Sequence, residues 1–206
     1  MHIPACTTDA LNILSFEDAY RAALLPNDAY DVNRWLYVPN VYTEYRYILG
    51  TRGAHPMICI GINPSTAAPD ALDNTLKSVE RISLYNGYDS FLMFNVYAER
   101  ATNPDDMEKN FNAHLHEQNL TAFDFALSLS ETPYVWAAWG TIVEKRSFLV
   151  RCMEDFVAVG RRHGAHWVTA GRRSAKFGHP HHPLYLPKTS VFEAFDIDAY
   201  LTGLKQ

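Results

Sequence analysis

The fold is decided by residues 57–66, which read MICIGINPST. The apolar run 57–60 shows no polar alternation, which is typical of a strand buried on both faces of a parallel sheet. Gly61 ends the run, and glycine lets the backbone turn and approach a ligand closely. Asn63 can donate and accept hydrogen bonds, and Pro64 stiffens the turn. The stretch predicts a buried strand that delivers a polar loop to the edge of a sheet.

Three further apolar runs repeat this pattern and are predicted to be buried strands. They are residues 91–95 (FLMFN), 134–139 (YVWAAW) and 165–168 (AHWV). Residues 41–49 are rich in β-branched and aromatic residues and also predict a strand. Helices are predicted over about 11–25, 73–86, 106–130 and 142–162. Asp73 or Asn74 can cap the second of these helices, and Gly87 can end it.

The alternation of strands and helices predicts a three-layer α/β/α fold with a central, mostly parallel, four-stranded sheet. A length of 206 residues fits one domain. We expect residues 41–190 to form the core of that domain. Residues 1–40 are expected to be an N-terminal extension packed on it.

Polar groups follow the predicted strands at their carboxyl ends, the edge at which open α/β sheets bind ligands. Asn63 and Asn95 follow the first two strands, Trp139 and Gly140 end the third, and the fourth leads into a basic loop. An asparagine in this position can hold a water or read the edge of a base. It can equally be a turn or cap residue. The strand ends predict that these groups line one pocket.

The formal net charge of −5 argues against a protein that grips long duplex DNA, which is usually basic. Residues 161–188 nevertheless contain six Lys or Arg and five His, with no Asp or Glu. This segment can face an anion such as phosphate, or it can be a solvated surface paired with acidic neighbours. No apolar run approaches the ~20 residues that span a bilayer, and residues 1–6 do not resemble a secretory signal. We therefore expect a cytoplasmic protein with no membrane partner.

The cysteines and histidines predict neither a metal nor another cofactor. Cys6, Cys59 and Cys152 are too scattered for a disulfide framework or a metal site. His179, His181 and His182 lack carboxylate or cysteine partners at useful spacing. A histidine that stabilises developing negative charge is the better functional interpretation of this cluster.

These motifs resemble those of the uracil-DNA glycosylase superfamily, especially its mismatch-specific branch. GINP at 61–64 resembles the first motif, and FLMFN at 91–95 is similar to the strand whose terminal Asn contacts uracil. VWAAWG at 135–140 is similar to the third strand, which ends in Trp-Gly, and the His-Pro doublets at 179–183 resemble the final His-Pro-Ser-Pro motif. The resemblance implies a glycosylase-like fold. The cysteines of the iron–sulfur members are absent, so no cluster is expected.

A second resemblance covers the chain from Tyr45 to Pro187. The segments 61–67 (GINPSTA), 73–75 (DNT), 95–102 (NVYAERAT) and 182–187 (HPLYLP) are similar to the pattern of the DUF1643 proteins, a bacterial and phage family. This family implies the same fold but no particular activity. Because the final motif reads HPHHPLY, either His179 or His182 can be the counterpart of the glycosylase histidine. We favour His182, because the apolar Leu184 keeps its place after the motif.

The first functional hypothesis is an enzyme that hydrolyses the N-glycosidic bond of a base or nucleoside-like substrate. Asn63 would position the attacking water, as in the mismatch-specific branch, and His182, or His179 in its place, would stabilise charge on the departing base. Asn95 would read the base edge, and Leu184 or Tyr185 would fill the gap left by a flipped base. Phosphate would contact Ser65, Thr66, Arg172 and Arg173. The expected substrate-binding residues are Gly61, Pro64, Ser65, Thr66, Asn95, Trp139, Arg172, Arg173 and Tyr185.

The rival hypothesis is a binding module on the same fold that holds a nucleotide or modified nucleobase without cleaving it. The acidic net charge and the absence of an acidic residue at the water-activating position favour this rival. A small-molecule hydrolase with an unrelated substrate is a third possibility. Under the first two hypotheses the partner is a nucleotide, a nucleobase or a nucleic acid, and the sequence leaves the oligomeric state open.

Overall fold

Seven strands form one mixed sheet in the computed structural model, which describes residues 1–204. The strands are β1 (Trp35–Val38), β2 (Ile48–Thr51), β3 (Pro56–Gly61), β4 (Ser90–Asn95), β5 (Tyr134–Ala137), β6 (His166–Ala170) and β7 (Phe192–Ala194). The α-helices are α1 (Phe16–Ala23), α2 (Asn74–Tyr85), α3 (Ala113–Leu127), α4 (Leu149–Arg162) and α5 (Ile197–Leu204). Short 3-10 helices lie at Thr8–Ala10, Pro104–Asp106, Gly140–Glu144 and Pro183–Tyr185.

The sheet has the strand order β1-β2-β4-β3-β5-β6-β7. Its four central strands, β4, β3, β5 and β6, are mutually parallel and correspond to the four buried strands predicted from the sequence. The prediction of a four-stranded sheet is wrong, because antiparallel β2 and β1 extend one side and antiparallel β7 extends the other. Strand β1 lies within residues 1–40, so this segment supplies an edge strand.

Helices cover both faces of the sheet. Along β3, Ile58 and Ile60 pack with apolar residues of α1, α3, α4 and α5, whereas Met57 and Cys59 pack with α2. Successive side chains of a strand point to opposite faces, so a strand between two helical layers must be apolar throughout. The fold is therefore a mixed α/β fold with two apolar cores, one on each side of the sheet.

The predicted strand at 41–49 is confirmed only at its end, since β2 begins at Ile48. The preceding residues pair with the segment after β4 instead: the Arg46 N–H donates to the Ala98 carbonyl at 2.9 Å, and the Arg100 N–H donates to the Glu44 carbonyl at 2.8 Å. Of the aromatic residues of this stretch, Tyr42 is exposed, whereas Tyr45 and Tyr47 are buried. Their pattern reflects burial, and the sequence alone does not distinguish a buried irregular segment from a regular strand.

Capping side chains set where the helices begin. Asp73 accepts from the Leu76 N–H at 2.9 Å and caps α2 as predicted. The helix predicted from 106 begins only at Ala113, because Asn112 accepts from the Leu115 N–H at 2.9 Å. The helix predicted over 142–162 is divided into a 3-10 turn and α4. Between them, Arg146 donates to the carbonyls of residues 105, 107 and 108, which fastens the break to the neighbouring loop.

Candidate functional site

The carboxyl edge of the sheet has a topological switch point between β3 and β5. From β3 the chain forms β4 on one side and later returns to form β5 on the other. Connections that leave on opposite faces open a crevice at such a point. The turn Pro183–Tyr185 lies against α2 beside this crevice. A β carbon added to Gly140, whose φ is +64°, would lie 3.7 Å from the β carbon of His182. The crevice thus joins the loops after β3 and β5 to the histidine segment.

Asn63 is half-buried at the start of the loop after β3, and the nitrogen of its side-chain amide is already hydrogen-bonded. Its Nδ2 donates to the carbonyls of Ala101 at 2.6 Å and Pro64 at 3.2 Å. Its Oδ1 accepts no hydrogen bond from residues 1–204, so it remains free to accept from a water or a ligand. Gly61, two residues before it, is packed closely, since an added β carbon would lie 2.7 Å from the Cε of Met93.

Asn95 and Trp139 lie beneath the crevice floor. Asn95 is 1% exposed. With its amide nitrogen turned towards the Asn63 carbonyl, Asn95 donates to that oxygen at 3.2 Å and to the Phe94 carbonyl at 3.3 Å. Trp139 is fully buried, and its indole N–H donates to the Tyr200 hydroxyl at 2.9 Å. Both side chains therefore support the strand ends and are turned into the protein.

Two buried arginines lie under the loop after β3. Arg100 donates to the carbonyls of Ser65 and Ala67 and, at 3.0 Å, to the Tyr37 hydroxyl. Its guanidinium carbon also lies 4.2 Å from the ring centroid of Tyr42. Arg46 donates to the same Ala67 carbonyl at 3.2 Å. Two cations therefore converge on one uncharged acceptor, and the backbone alone does not neutralise their positive charge.

His182 presents a hydrogen-bond donor beside the crevice. Its Nδ1 accepts from the Leu184 N–H at 3.3 Å. Burial lowers the pKa of His182; the nearby charge of Asp73 partly opposes this shift, and His181 adds to it. The neutral ring is therefore favoured, and because Nδ1 is the acceptor, the proton lies on Nε2. That Nε2–H donates to no residue among 1–204, which leaves it available for a ligand.

His179 belongs to a separate buried network with Trp139, Tyr200 and Glu144. The indole of Trp139 can only donate, so the Tyr200 oxygen accepts from it and the Tyr200 O–H is free to donate to Nδ1 of His179 at 2.8 Å. Burial lowers the pKa of His179, which favours the neutral ring with its proton on Nε2. This Nε2 lies 3.5 Å from a Glu144 carboxylate oxygen. His179 is thus anchored in the interior through Tyr200, whereas His182 is half-buried beside Gly140.

The remaining predicted residues differ in exposure. Pro64 is buried, and Ser65 and Thr66 are half-buried in the same loop. The Ser65 hydroxyl lies 3.0 Å from that of Thr102. Arg172 and Arg173 are exposed, and Arg173 lies 5.7 Å from the ring centroid of Phe195. The exposed set also includes Leu184 and Tyr185, at 38% and 75% exposure.

The comparisons with known proteins identify the family. A family model described as "Protein of unknown function (DUF1643)" matches residues 46–184, which is more than half of the chain. The chain belongs to the DUF1643 family. No curated protein and no solved structure matched it. The DUF1643 range contains Asn63, both buried arginines and His182, whereas Tyr200 lies outside it. The resemblance to uracil-DNA glycosylases rests on the motifs alone.

Sequence reasoning did not select Arg46 and Arg100 as site residues in this DUF1643 chain. Arg46 carries a recognisable signal, because it lies in a stretch rich in aromatic and β-branched residues, whereas the burial of Arg100 is visible only in the structure. Arg46 stands between Tyr45 and Tyr47, and Arg100 follows a continuous buried segment from 95 to 99. A buried cation must be paired or bonded, so such a position indicates a specific role. The electrostatic role of Asp73, predicted only as a cap, was also missed.

Other concave regions of the DUF1643 fold lie away from the crevice. A groove of about 420 Å³ between α3 and α4 is lined by Glu117, Asp124 and Asp155 together with Arg162. Three carboxylates against one arginine make this groove unfavourable for an anion. Within residues 1–204, no group of three or more His, Cys, Asp or Glu side chains is arranged to hold a metal ion. No helix in the same range has the length and apolarity that crossing a bilayer requires.

Proposed function

We propose that this DUF1643 protein binds a nucleotide or nucleoside-like ligand in the crevice between β3 and β5 and hydrolyses its N-glycosidic bond. The observation that carries the proposal is the hydrogen bond that Nδ1 of His182 accepts from the turn that follows it. This Nδ1 is occupied by the Leu184 N–H at 3.3 Å, so the neutral ring offers its Nε2–H beside the crevice. A donor fixed in this way stabilises negative charge that develops on a leaving group.

The reaction needs a nucleophile, a leaving-group partner and a proton acceptor. Water attacks the sugar carbon, the C–N bond breaks, and its electron pair goes to the base, where His182 donates a hydrogen bond. The free Oδ1 of Asn63 accepts a hydrogen bond from the water and orients it, but an amide does not take up the proton. The carboxylate of Asp73, whose charge acts on His182, is the group that can accept it.

The second candidate is the binding module, and the burial of Asn95 and Trp139 favours it. These two side chains were expected to read and hold the base, yet Asn95 is 1% exposed and Trp139 is fully buried. A ligand would then be held by the loop after β3 and by His182, without the base selection that an enzyme of this class requires. On this account the protein binds nucleotides and releases no base.

Base release separates the two candidates. Each ribonucleoside 5′-monophosphate and a short single-stranded DNA containing uracil are incubated with the protein, and the free base is quantified by chromatography. The enzyme proposal expects release by the wild type and a loss of about 10²–10³ in rate in Asn63→Ala and in His182→Ala. His114→Ala, which changes an exposed histidine on α3, is the matched control and should keep the wild-type rate. Binding without any base release would favour the binding module.

A further inference from the structure

The buried arginine pair carries more positive charge than its surroundings neutralise. Arg46 and Arg100 are 1% and 0% exposed, and no carboxylate oxygen of residues 1–204 lies within 4.0 Å of either guanidinium. Burial, and then the charge of Arg100, lowers the pKa of Arg46 to about 9, which still leaves it protonated at neutral pH. The charge of Asp73 acts on both arginines without forming an ion pair. Two cations against one carboxylate leave a net positive charge under the loop.

The hydrogen bonds accepted by the Pro64 and Ser65 carbonyls fix the direction of two peptide groups in the loop after β3. The Pro64 carbonyl accepts from the Ala101 N–H at 2.9 Å, and the Ser65 carbonyl accepts from Arg100, so both carbonyls point inwards. In a planar trans peptide the N–H points opposite to the C=O. The N–H groups of Ser65 and Thr66 must therefore point away from the interior. Neither of them donates a hydrogen bond to any residue in the range 1–204.

We propose that this loop binds a phosphate group, and we call this phosphate-binding site the seat. The outward N–H groups of Ser65 and Thr66 donate to the phosphate oxygens, and the Ser65 and Thr66 hydroxyls lie in the same loop. Arg46 and Arg100 act from below as positioning residues: Arg100 holds the Ser65 and Ala67 carbonyls inward, Arg46 holds that of Ala67, and both supply the compensating positive charge. Consecutive backbone N–H groups that face one way form a concave anion site of this kind. Only the nucleotide identity of the ligand rests on the proposed function.

The proposal assigns the phosphate to the buried pair rather than to Arg172 and Arg173. Those two side chains are exposed, so solvent and salt screen their charge. The guanidiniums under the loop are shielded from water, which strengthens their effect on an anion bound above them. If the buried pair supports the phosphate, replacing Arg100 should weaken phosphate binding. If the exposed pair does, replacing Arg172 and Arg173 should weaken it instead.

Titration calorimetry at constant ionic strength tests the seat. The ligands are inorganic phosphate, the four ribonucleosides and their 5′-monophosphates. We expect at least one monophosphate to bind about tenfold or more tightly than its nucleoside, as charge-assisted hydrogen bonds imply. In Arg100→Gln that preference for the monophosphate over its nucleoside should fall below about threefold, whereas the control Arg172→Gln/Arg173→Gln should keep it.

A wild-type measurement covers the case in which Arg100→Gln fails to fold. Inorganic phosphate should raise the melting temperature of the wild type more than chloride does at matched ionic strength. An equal effect of the two salts would overturn the seat. Equal binding of nucleosides and monophosphates would also overturn it, while leaving the proposed function intact. Stabilisation by inorganic phosphate with no binding of any nucleoside or monophosphate would support the seat and reject the nucleotide function. A phosphate preference lost in Arg172→Gln/Arg173→Gln and kept in Arg100→Gln would overturn the assignment to the buried pair.

Discussion

Arg46 and Arg100 donate to one and the same acceptor, the backbone carbonyl of Ala67, at 3.2 and 3.3 Å. A buried like-charge pair is unfavourable unless other groups compensate for it. Here Arg100 has two further acceptors, Ser65 and Tyr37, whereas the acceptor that Arg46 uses is the shared one. The Nε atoms of both arginines have no hydrogen-bond partner within the described chain. The pair is therefore costly for the fold, which is expected of groups held for a ligand.

The unequal bonding predicts unequal costs of removing the two arginines. Arg100→Met leaves the Ser65 carbonyl and the Tyr37 hydroxyl unpaired and should lower the free energy of unfolding by roughly 2–4 kcal/mol. Arg46→Met leaves Ala67 bonded to Arg100 and removes the repulsion, so its cost should stay below about 1 kcal/mol. Urea denaturation of both variants provides the comparison. A larger loss in Arg46→Met than in Arg100→Met would contradict the bonding described here.

Tyr200 is predicted to be the centre of the network that anchors α5. Tyr200→Phe leaves both the Trp139 indole N–H and Nδ1 of His179 without a partner, which should cost about 1–3 kcal/mol of stability. Tyr185→Phe removes the hydroxyl of a tyrosine that is 75% exposed and should change stability by less than about 0.5 kcal/mol. Thermal unfolding of the two variants measures the difference. Equal melting temperatures would show that the network contributes nothing.

Glu99 is predicted to make stability depend on pH. Burial raises its pKa from 4.5 to about 7, and the Glu108 N–H partly opposes that shift. The folded state therefore holds a proton that the unfolded state has already released, so stability falls as pH rises from 4.5 to about 7. We expect Glu99→Gln to remove up to roughly 3 kcal/mol of this dependence. Denaturation at about pH 5 and about pH 8 checks it, and an unchanged pH dependence in the variant would refute it.

His182 is predicted to titrate below its ordinary pKa of 6.5, because burial disfavours the charged ring. Above that pH the ring should be neutral with its proton on Nε2. Protonation places a second hydrogen on Nδ1, which then opposes the Leu184 N–H and loosens the turn. Nitrogen-15 NMR of the imidazole reports both the tautomer and the midpoint. A neutral ring protonated on Nδ1, or a midpoint above 6.5, would contradict the role given to this side chain.

The central strands could be predicted from the sequence because their residues are buried on both faces and so show continuous apolar runs. The edge strands β1 and β7 could not be predicted. Each has only three or four residues, which is too short for a distinct pattern, and each is joined to its partner strand by a connection longer than a tight turn. The break before α4 was likewise invisible, because it is held by Arg146 reaching the carbonyls of another loop.

The sequence likewise predicted the position of some site residues but not the direction of every side chain. Asn63 and His182 follow from their positions at strand ends and in the final motif, and the structure brings both to the carboxyl edge. Asn95 and Trp139 occupy equivalent positions in sequence, yet their side chains are turned into the protein. Sequence position fixes which edge a residue reaches, whereas the direction of its side chain depends on tertiary contacts that no local pattern records.

The proposed ligand site is the crevice between β3 and β5. The most direct test is a two-dimensional ¹⁵N–¹H NMR titration of the labelled protein with a ribonucleoside 5′-monophosphate. We predict that the largest shift changes fall on the backbone amides of Ser65 and Thr66 and on residues adjoining His182. Changes confined to the opposite edge of the sheet, around His55, Tyr88 and His166, would contradict the account.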